Sequence, residues 1–249
     1  TPSFGHLFPF ADGVQTDPLT GATDGLLRRQ QAKGAMPRIF YTDTSSEYWR
    51  GDAGLSHGDL ATGGDAELAG GVRRYLFAST QHGAGVAALA RRTMFGSHGQ
   101  NYLNMIDYRP LYRAALANLL AWVKHDAVPP DSAYPSLAAG NRGTRGDAMA
   151  ALAAIPGLNL PDAAAMTWVY PMELGPDAEQ GIGAMPVKIG PAPYPDWVSM
   201  LDDNGNEAAG IRMPDVTVPV ASHMGFNPRH EDTGGAGQLL EYIGSTIPL

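Results

Sequence analysis

Two runs of branched and aromatic residues in the first third of the chain each end in small polar residues. The first run is PRIFYTDTSSEYW, residues 37–49, and the second is VRRYLFASTQHG, residues 72–83. Because branched and aromatic residues favour extended backbone, this pattern predicts strands over about 38–43 and 72–78. Each predicted strand is followed by one titratable side chain, Glu47 in the first run and His82 in the second.

Helical periodicity is strongest over residues 108–125, where apolar residues recur at positions 111, 115, 119, 122 and 123. This spacing predicts one long helix, and the prolines at 129 and 130 prevent the helix from continuing. A shorter helix is predicted over about 24–33, with Thr23 or Asp24 as its N-cap and Gly34 just past its end. Residues 49–71 are rich in Gly and Asp, so we expect a surface excursion between the two strands.

The second half of the chain contains short β-prone runs separated by Pro and Gly. A hairpin turn is expected with Asn204 and Gly205 at its tip, because Asn-Gly is a strong two-residue turn signal. The remaining predictions are loops over 1–25 and 131–146, strands over 166–170, 185–189 and 197–201, an extended segment over 214–221, and a closing helical turn over 239–243.

Composition narrows the class of protein. The 249 residues are 44% apolar, and 31 Gly with 20 Pro indicate a globular, loop-rich chain. A net charge of -8 disfavours nucleic acid as a partner, and the absence of Cys excludes disulfides, thiol catalysis and thiolate metal sites. No apolar run reaches the length of a membrane span, so we expect a soluble protein, with an extracytoplasmic compartment left open. The opening TPSFGH is expected to be a processed, cleaved or truncated terminus.

Glu47 and His82 are the candidate catalytic residues. A carboxylate and an imidazole just past consecutive strands suit the acid and base of a hydrolase triad in the chain order nucleophile, acid, base. The carboxylate would orient the imidazole, and the imidazole would take a proton from a serine hydroxyl and return it to the leaving group. Asp43 and Asp52 compete with Glu47 as the acid, since a small register error would exchange them.

Other candidate sites have weaker patterns. Residues 54–58 match the nucleophile motif G-x-S-x-G around Ser56, but they lack the preceding buried strand and the following helix, so a loop is expected. Ser97 lies in a GSHG sequence with the same defect. No metal site is predicted, because the histidines at 57, 82, 98 and 223 lack helical ligand spacing. Asp202–Glu207 resembles a calcium loop in composition only, and Thr1 as an N-terminal nucleophile is disfavoured by Pro2.

Several motifs together resemble the bacterial alpha/beta hydrolase domain-containing proteins, which are esterase-like serine hydrolases. They span the chain and comprise FPF (8–10), TDPLTGATDGLL (16–27), PRIFYTDTSSEYWRGD (37–52), FASTQHG (77–83), NYLNMIDYR (101–109), NEAAGIRMPDV (206–216), GFN (225–227) and STIPL (245–249). The resemblance implies that Glu47 and His82 take the acid and base roles. It also implies a nucleophile in a G-x-S-x-S-G-like elbow within an N-terminal half that has no counterpart here. The loop around Gly54 and Ser56 departs from the family's apolar pattern.

The expected fold is therefore α/β, the C-terminal portion of an α/β-hydrolase sheet with an added, partly β C-terminal region. Residues 1–105 would form the C-terminal half of the catalytic domain, and residues 106–249 a helix followed by a loop-rich, partly β region packed on it. The expected function is hydrolysis of a small carboxylic ester, without a cofactor, together with a companion N-terminal segment or chain carrying the serine. The alternative is a non-catalytic binding or structural subunit that kept the scaffold.

Overall fold

The computed structural model describes residues 2–3 and 6–249 of the chain. The helices are α1 (Arg28–Ala32), α2 (Ser45–Arg50), α3 (Arg109–His125), α4 (Arg145–Leu152) and α5 (Pro214–Thr217), with 3-10 turns at Ala53–Ser56, Ala163–Ala165, Ala178–Gln180 and Glu231–Thr233. The strands are β1 (Pro2–Ser3), β2 (Gln15–Thr16), β3 (Thr23–Asp24), β4 (Ile39–Thr44), β5 (Val72–Phe77), β6 (Tyr102–Leu103), β7 (Arg142–Thr144), β8 (Trp168–Val169), β9 (Met172–Glu173), β10 (Lys188–Ile189), β11 (Trp197–Ser199), β12 (Ala221–Met224) and β13 (Ser245–Pro248).

The central feature is the parallel pair β4 and β5, which pair in register from Ile39 with Val72 to Thr44 with Phe77. Both strands were predicted, and both are confirmed to within one residue. Since parallel strands end at the same edge, the polar residues that follow them are brought together. The other sheets are small, and the largest places β13 between β12 and β6.

The main hydrophobic core lies beneath helix α2 and strand β5. It combines residues from both sides of the predicted boundary at residue 105, among them Tyr48, Trp49, Leu76, Leu152, Met224 and Phe226. Trp49 and Phe226 contact each other with ring centroids 4.3 Å apart. Residues before and after position 105 thus share one core, and the division into 1–105 and 106–249 stays a prediction.

Long helix α3 confirms the strongest helical pattern. Its positions 111, 115, 119 and 122 are turned inward, and Trp122 is buried. Val123, which was counted with this face, is 59% exposed. The hairpin turn is also confirmed, since Leu201 pairs with Glu207 and Gly205 takes the left-handed φ of 72° that the turn requires.

Several local predictions were wrong. The first helix begins at Arg28 rather than near 24, because Thr23 and Asp24 pair with β2 instead of capping the helix. Gly34 does follow its end, with φ 64°. Residues 214–217 form helix α5 rather than an extended segment, with Pro214 in its first turn, where a missing N–H costs nothing. Residues 239–243 are not helical.

The expected loop over 131–146 also contains structure, since it ends in strand β7 and the start of helix α4. Antiparallel pairing with β11 forms β7, which a three-residue run does not reveal by its composition. Among the helices of the described residues, none has the length and apolarity needed to cross a membrane.

Candidate active site

Glu47 lies in the first turn of helix α2, which directly follows strand β4. The run Thr44–Glu47 forms a capping box, in which the N-cap residue and the third helical residue satisfy each other. Oε2 of Glu47 accepts hydrogen bonds from the Thr44 N–H at 2.7 Å and from the Thr44 hydroxyl at 2.5 Å. These contacts hold the carboxylate in one orientation and leave Oε1 directed elsewhere.

Oε1 of Glu47 lies 2.5 Å from Nδ1 of His82. The structure therefore brings together the two residues that the sequence proposed as acid and base. The Glu47 side chain is 18% exposed and the imidazole 58% exposed. Facing a carboxylate, Nδ1 carries the ring proton, which leaves the lone pair of Nε2 available on the other side of the ring.

The loop after β5 positions His82 through its backbone. The His82 N–H donates to Oγ of Ser46 at 3.2 Å, and its carbonyl accepts a hydrogen bond from the Tyr108 hydroxyl. The imidazole ring packs on Tyr242 with centroids 4.4 Å apart. Burial and the nearby Glu47 charge raise the pKa of Tyr108 to about 12, so its hydroxyl remains a donor at neutral pH.

Glu207 connects the residues that follow strands β4 and β5 through hydrogen bonds. It is fully buried, and its Oε2 accepts a hydrogen bond from the Ser45 hydroxyl at 2.5 Å and one from the Ser79 N–H at 2.7 Å. The Glu207 N–H in turn donates to Oγ of Ser79 at 2.8 Å. Ser45 also accepts from the Thr80 N–H at 3.1 Å, so one carboxyl group links the start of α2 to the loop that carries His82.

Ser79 has a left-handed backbone with φ 60°. A non-glycine residue in this region costs on the order of 1–3 kcal/mol and is kept only where its surroundings impose it. Here the two bonds to Glu207 and the bond from Nδ2 of Asn104 to the Ser79 carbonyl, at 2.8 Å, impose it. The turn that places His82 beside Glu47 thus depends on tertiary contacts.

Two carboxyl groups near the strand ends have raised pKa values. Burial raises the pKa of Glu207 to about 7, against the opposing hydrogen bonds from Ser45 and Ser79. Burial likewise raises the pKa of Asp43 to about 6, although Arg74 donates to its Oδ2 at 2.9 Å. At neutral pH Glu207 is therefore protonated in a large fraction of molecules.

The competing acids lie apart from His82. Asp43 pairs with the buried guanidinium of Arg74, and Asp52 lies 3.0 Å from Nε2 of His6. Both line a cleft of about 280 Å³, whose lining does not include His82. Of the three carboxylates considered from the sequence, Glu47 is the one in contact with His82.

Ser56 is not in a nucleophile elbow. It ends the 3-10 turn Ala53–Ser56, and its hydroxyl donates to the Ala53 carbonyl at 2.5 Å. Ser97 lies in a surface turn, where its N–H donates to the Thr93 hydroxyl at 3.1 Å. Neither serine hydroxyl is hydrogen-bonded to His82 in the described part of the chain.

The four histidines considered as metal ligands do not converge. His57 is buried against the Tyr48 hydroxyl at 2.9 Å, and His223 lies 3.0 Å from Oγ1 of Thr246. Burial lowers the pKa of His223 to about 4. His98 instead contacts Asp232 at 2.9 Å. The calcium-like run is the predicted hairpin turn, with Oδ1 of Asp202 accepting from two backbone N–H groups, and Thr1 lies outside the described residues.

Sequence reasoning missed Glu207 as part of the site. It was assigned to the polar run Asp202–Glu207, and no local pattern there distinguishes the buried Glu207 from the exposed Asp203. Tyr108 and Tyr242 were also missed. Tyr108 directly precedes α3 and Tyr242 lies in an irregular tail, so no local pattern connects either with His82.

A parallel strand pair that presents a carboxylate and an imidazole at one edge is typical of hydrolases with a catalytic triad. The family model described as "Alpha/beta hydrolase domain" matches residues 5–249, and the chain belongs to this family. No curated protein matches the chain, and neither does any solved structure. The family supports a hydrolase-type function and a fold of mixed helices and strands.

Proposed function

We propose that this chain supplies the acid and base of a Ser-Glu-His triad in a carboxylic ester hydrolase. Glu47 would be the acid and His82 the base, and a companion N-terminal segment or partner chain would carry the serine. The observation that carries the proposal is the 2.5 Å contact between Oε1 of Glu47 and Nδ1 of His82, with Nε2 left free. The substrate class is small carboxylic esters.

The chemistry assigned to the pair follows from its geometry. Nε2 of His82 would take the proton from the serine hydroxyl as the oxygen attacks the ester carbonyl, and would give it to the departing alkoxide. In the second half of the reaction the same nitrogen would take a proton from water as the water oxygen attacks the acyl-enzyme, and would give it to the serine oxygen as its bond to the acyl group breaks. Glu47 would stabilise the imidazolium formed in both steps and keep the proton of Nδ1 in place.

The proposal of a companion segment rests on contacts at His82. Among the described residues, no serine or threonine hydroxyl is hydrogen-bonded to Nε2. The nearest serine along the network, Ser46, donates its hydroxyl to the Gly225 carbonyl at 2.8 Å and is buried. A nucleophile from outside the described residues would approach the exposed side of the imidazole.

Two surfaces support such a companion. In the described part of the chain β4 has β5 as its one strand partner, so its outer edge is open to a further strand. Helix α3 also carries a row of exposed apolar side chains, each about one helical turn from the next, namely Tyr112, Leu116, Leu120 and Val123. Both features suit a surface that another part of a sheet-and-helix domain covers.

The test uses the purified protein together with whatever segment accompanies it, whose mass is first measured intact under denaturing conditions. A fluorophosphonate probe then locates a reactive serine, and hydrolysis of p-nitrophenyl esters gives kcat and KM. Glu47→Gln is expected to lower kcat by on the order of 10⁴-fold with the fold unchanged, as for the amide replacement in a serine-protease triad. The exposed Glu67→Gln is the matched control.

The outcomes separate the possibilities. Probe labelling on a companion segment, abolished by Glu47→Gln and His82→Ala, supports the proposal. Labelling of Ser56 would point to a rearranged hydrolase complete within these residues. Absence of labelling together with silent ester assays would favour the non-catalytic binding role.

A further inference from the structure

We propose that His98, His230 and Asp232 form a binding site for one divalent transition-metal ion, with zinc as the test ion. The three side chains meet at the surface of the protein. Their nitrogen and oxygen ligand atoms all lie within 4.8 Å of one another. This site does not depend on the function proposed above.

The backbone brings the two histidines side by side. The His230 N–H donates to the His98 carbonyl at 2.9 Å, and the neighbouring residues Gly99 and Arg229 form an antiparallel bridge. The imidazole rings stack with centroids 3.9 Å apart and planes 19° apart. Asp232 lies two residues after His230, in the 3-10 turn Glu231–Thr233, and its carboxylate faces both rings.

The spacing of the ligand atoms suits one small ion. Oδ1 of Asp232 lies 2.9 Å from Nδ1 of His98 and 2.9 Å from Nδ1 of His230. Zinc binds imidazole nitrogen and carboxylate oxygen at about 2.0–2.2 Å, so two ligands at angles of about 90–110° are separated by roughly 2.9–3.5 Å. The nitrogen–oxygen pairs already have that separation, but the stacked rings hold their Nδ1 lone pairs in nearly parallel planes, so one imidazole must turn out of the stack for both nitrogens to bind the same ion.

The hydrogen-bonding demands on His230 also favour a cation. The Asp232 N–H donates to Nδ1 of His230 at 3.3 Å, which requires a lone pair on that nitrogen. The same nitrogen is 2.9 Å from a carboxylate oxygen, which requires a proton or a cation between them. A metal ion bound by Nδ1 and by Oδ1 satisfies the second demand without a proton, and it takes the one Nδ1 lone pair in place of the 3.3 Å contact from the Asp232 N–H.

Arg92 holds the other carboxylate oxygen. Its guanidinium contacts Oδ2 of Asp232. A ligating carboxylate is commonly oriented through its second oxygen in this way. The guanidinium charge also opposes a further cation, so we expect binding in the micromolar range rather than tighter.

The ion would join two segments that flank His82. His98 lies on the segment that follows His82, whereas His230 and Asp232 precede Tyr242, whose ring packs on His82. Because the chain has no cysteine, no thiolate competes for the ion. An ion bound here would therefore link both segments, with the fourth tetrahedral position left to water.

The test is isothermal titration of zinc chloride into untagged protein stripped of metal, with cobalt absorption spectra as an independent report on the ligands. We expect one equivalent of zinc, a rise in melting temperature with added zinc, and at least tenfold weaker binding for His98→Ala, His230→Ala and the isosteric Asp232→Asn. The exposed His125→Ala should bind as the parent does.

Three results would each overturn the proposal. The first is the absence of stoichiometric zinc binding by the parent protein. The second is unchanged zinc affinity in the three cluster variants, and the third is a loss of affinity in His125→Ala equal to theirs. Circular dichroism of each variant separates loss of ligands from loss of fold. If an alanine variant unfolds, the zinc affinity of the isosteric Asp232→Asn tests the proposal instead.

Discussion

The buried carboxyl of Glu207 makes stability depend on pH in a way that one substitution can isolate. Its pKa rises from an ordinary value of 4.5 to about 7 in the folded protein, because burial disfavours the charged form. Between these two values the folded state holds more protons than the unfolded state. The free energy of unfolding therefore falls as pH rises from 4.5 to 7, and this contribution is constant below and above that window.

The magnitude follows from the shift. At 1.36 kcal/mol per pKa unit, a rise from 4.5 to about 7 corresponds to about 3 kcal/mol. The Gln side chain of Glu207→Gln has the size of the protonated acid, and its amide oxygen can accept the hydrogen bonds from Ser45 and Ser79. Because the amide does not titrate, the variant should lack the pH-dependent contribution of Glu207 to the free energy of unfolding. Relative to the variant, the parent should lose about 3 kcal/mol of stability between pH 4.5 and 7.5, and the variant should be the more stable protein at pH 8.

The measurement is urea unfolding at a series of pH values, followed by the fluorescence of the 4 Trp residues. Asp43 also titrates near this range, since its pKa is raised to about 6, but it is present in both proteins and cancels in the difference. Glu67→Gln, at an exposed position, should leave the pH profile of the parent unchanged. Parallel profiles for the parent and Glu207→Gln would refute the assignment of a neutral, buried carboxyl.

Two further substitutions test how the site is supported. Gly225→Ala would place a Cβ 2.3 Å from the backbone carbon of Ser45, so we expect it to destabilise the protein by about 1–3 kcal/mol or more, whereas Gly70→Ala, with open space around it, should not. Arg145→Met should cost about 3–5 kcal/mol, because it leaves the carboxylate of Asp196, 3.2 Å from Nε of Arg145, without its partner. Thermal and chemical unfolding measure both, and melting temperatures equal to that of the parent would contradict the stated contacts.

Local sequence was sufficient where one short stretch carries the whole signal. Strands β4 and β5 were located to within a residue because both are short runs rich in branched and aromatic side chains. The periodicity of α3 and the Asn-Gly turn at 204–205 were also decisive, since their geometry is set by neighbouring residues. Helix α2 was not predicted, although the sequence contains the capping box of Thr44 and Glu47 that begins it.

Local sequence failed where pairing with distant residues decides the conformation. Thr23 and Asp24 have good capping side chains, yet they pair with β2. Strands as short as β7 form because a partner strand supplies their hydrogen bonds, and composition does not reveal the partner. Residues 214–221 contain two prolines that suit either an extended edge or the first turn of a helix, and the structure has the helix.

The sequence by itself located strands β4 and β5 and the long helix, and it singled out Glu47 and His82 as candidate residues. Only the tertiary structure decided that Glu47, rather than Asp43 or Asp52, contacts His82. It also decided that Glu207, 128 positions from Ser79 along the chain, accepts the hydrogen bond that holds the turn at Ser79 and so positions His82. The physical reason is that a hydrogen bond to a buried carboxyl depends on distance in space, which the packing of the core sets and which no local pattern of residues encodes.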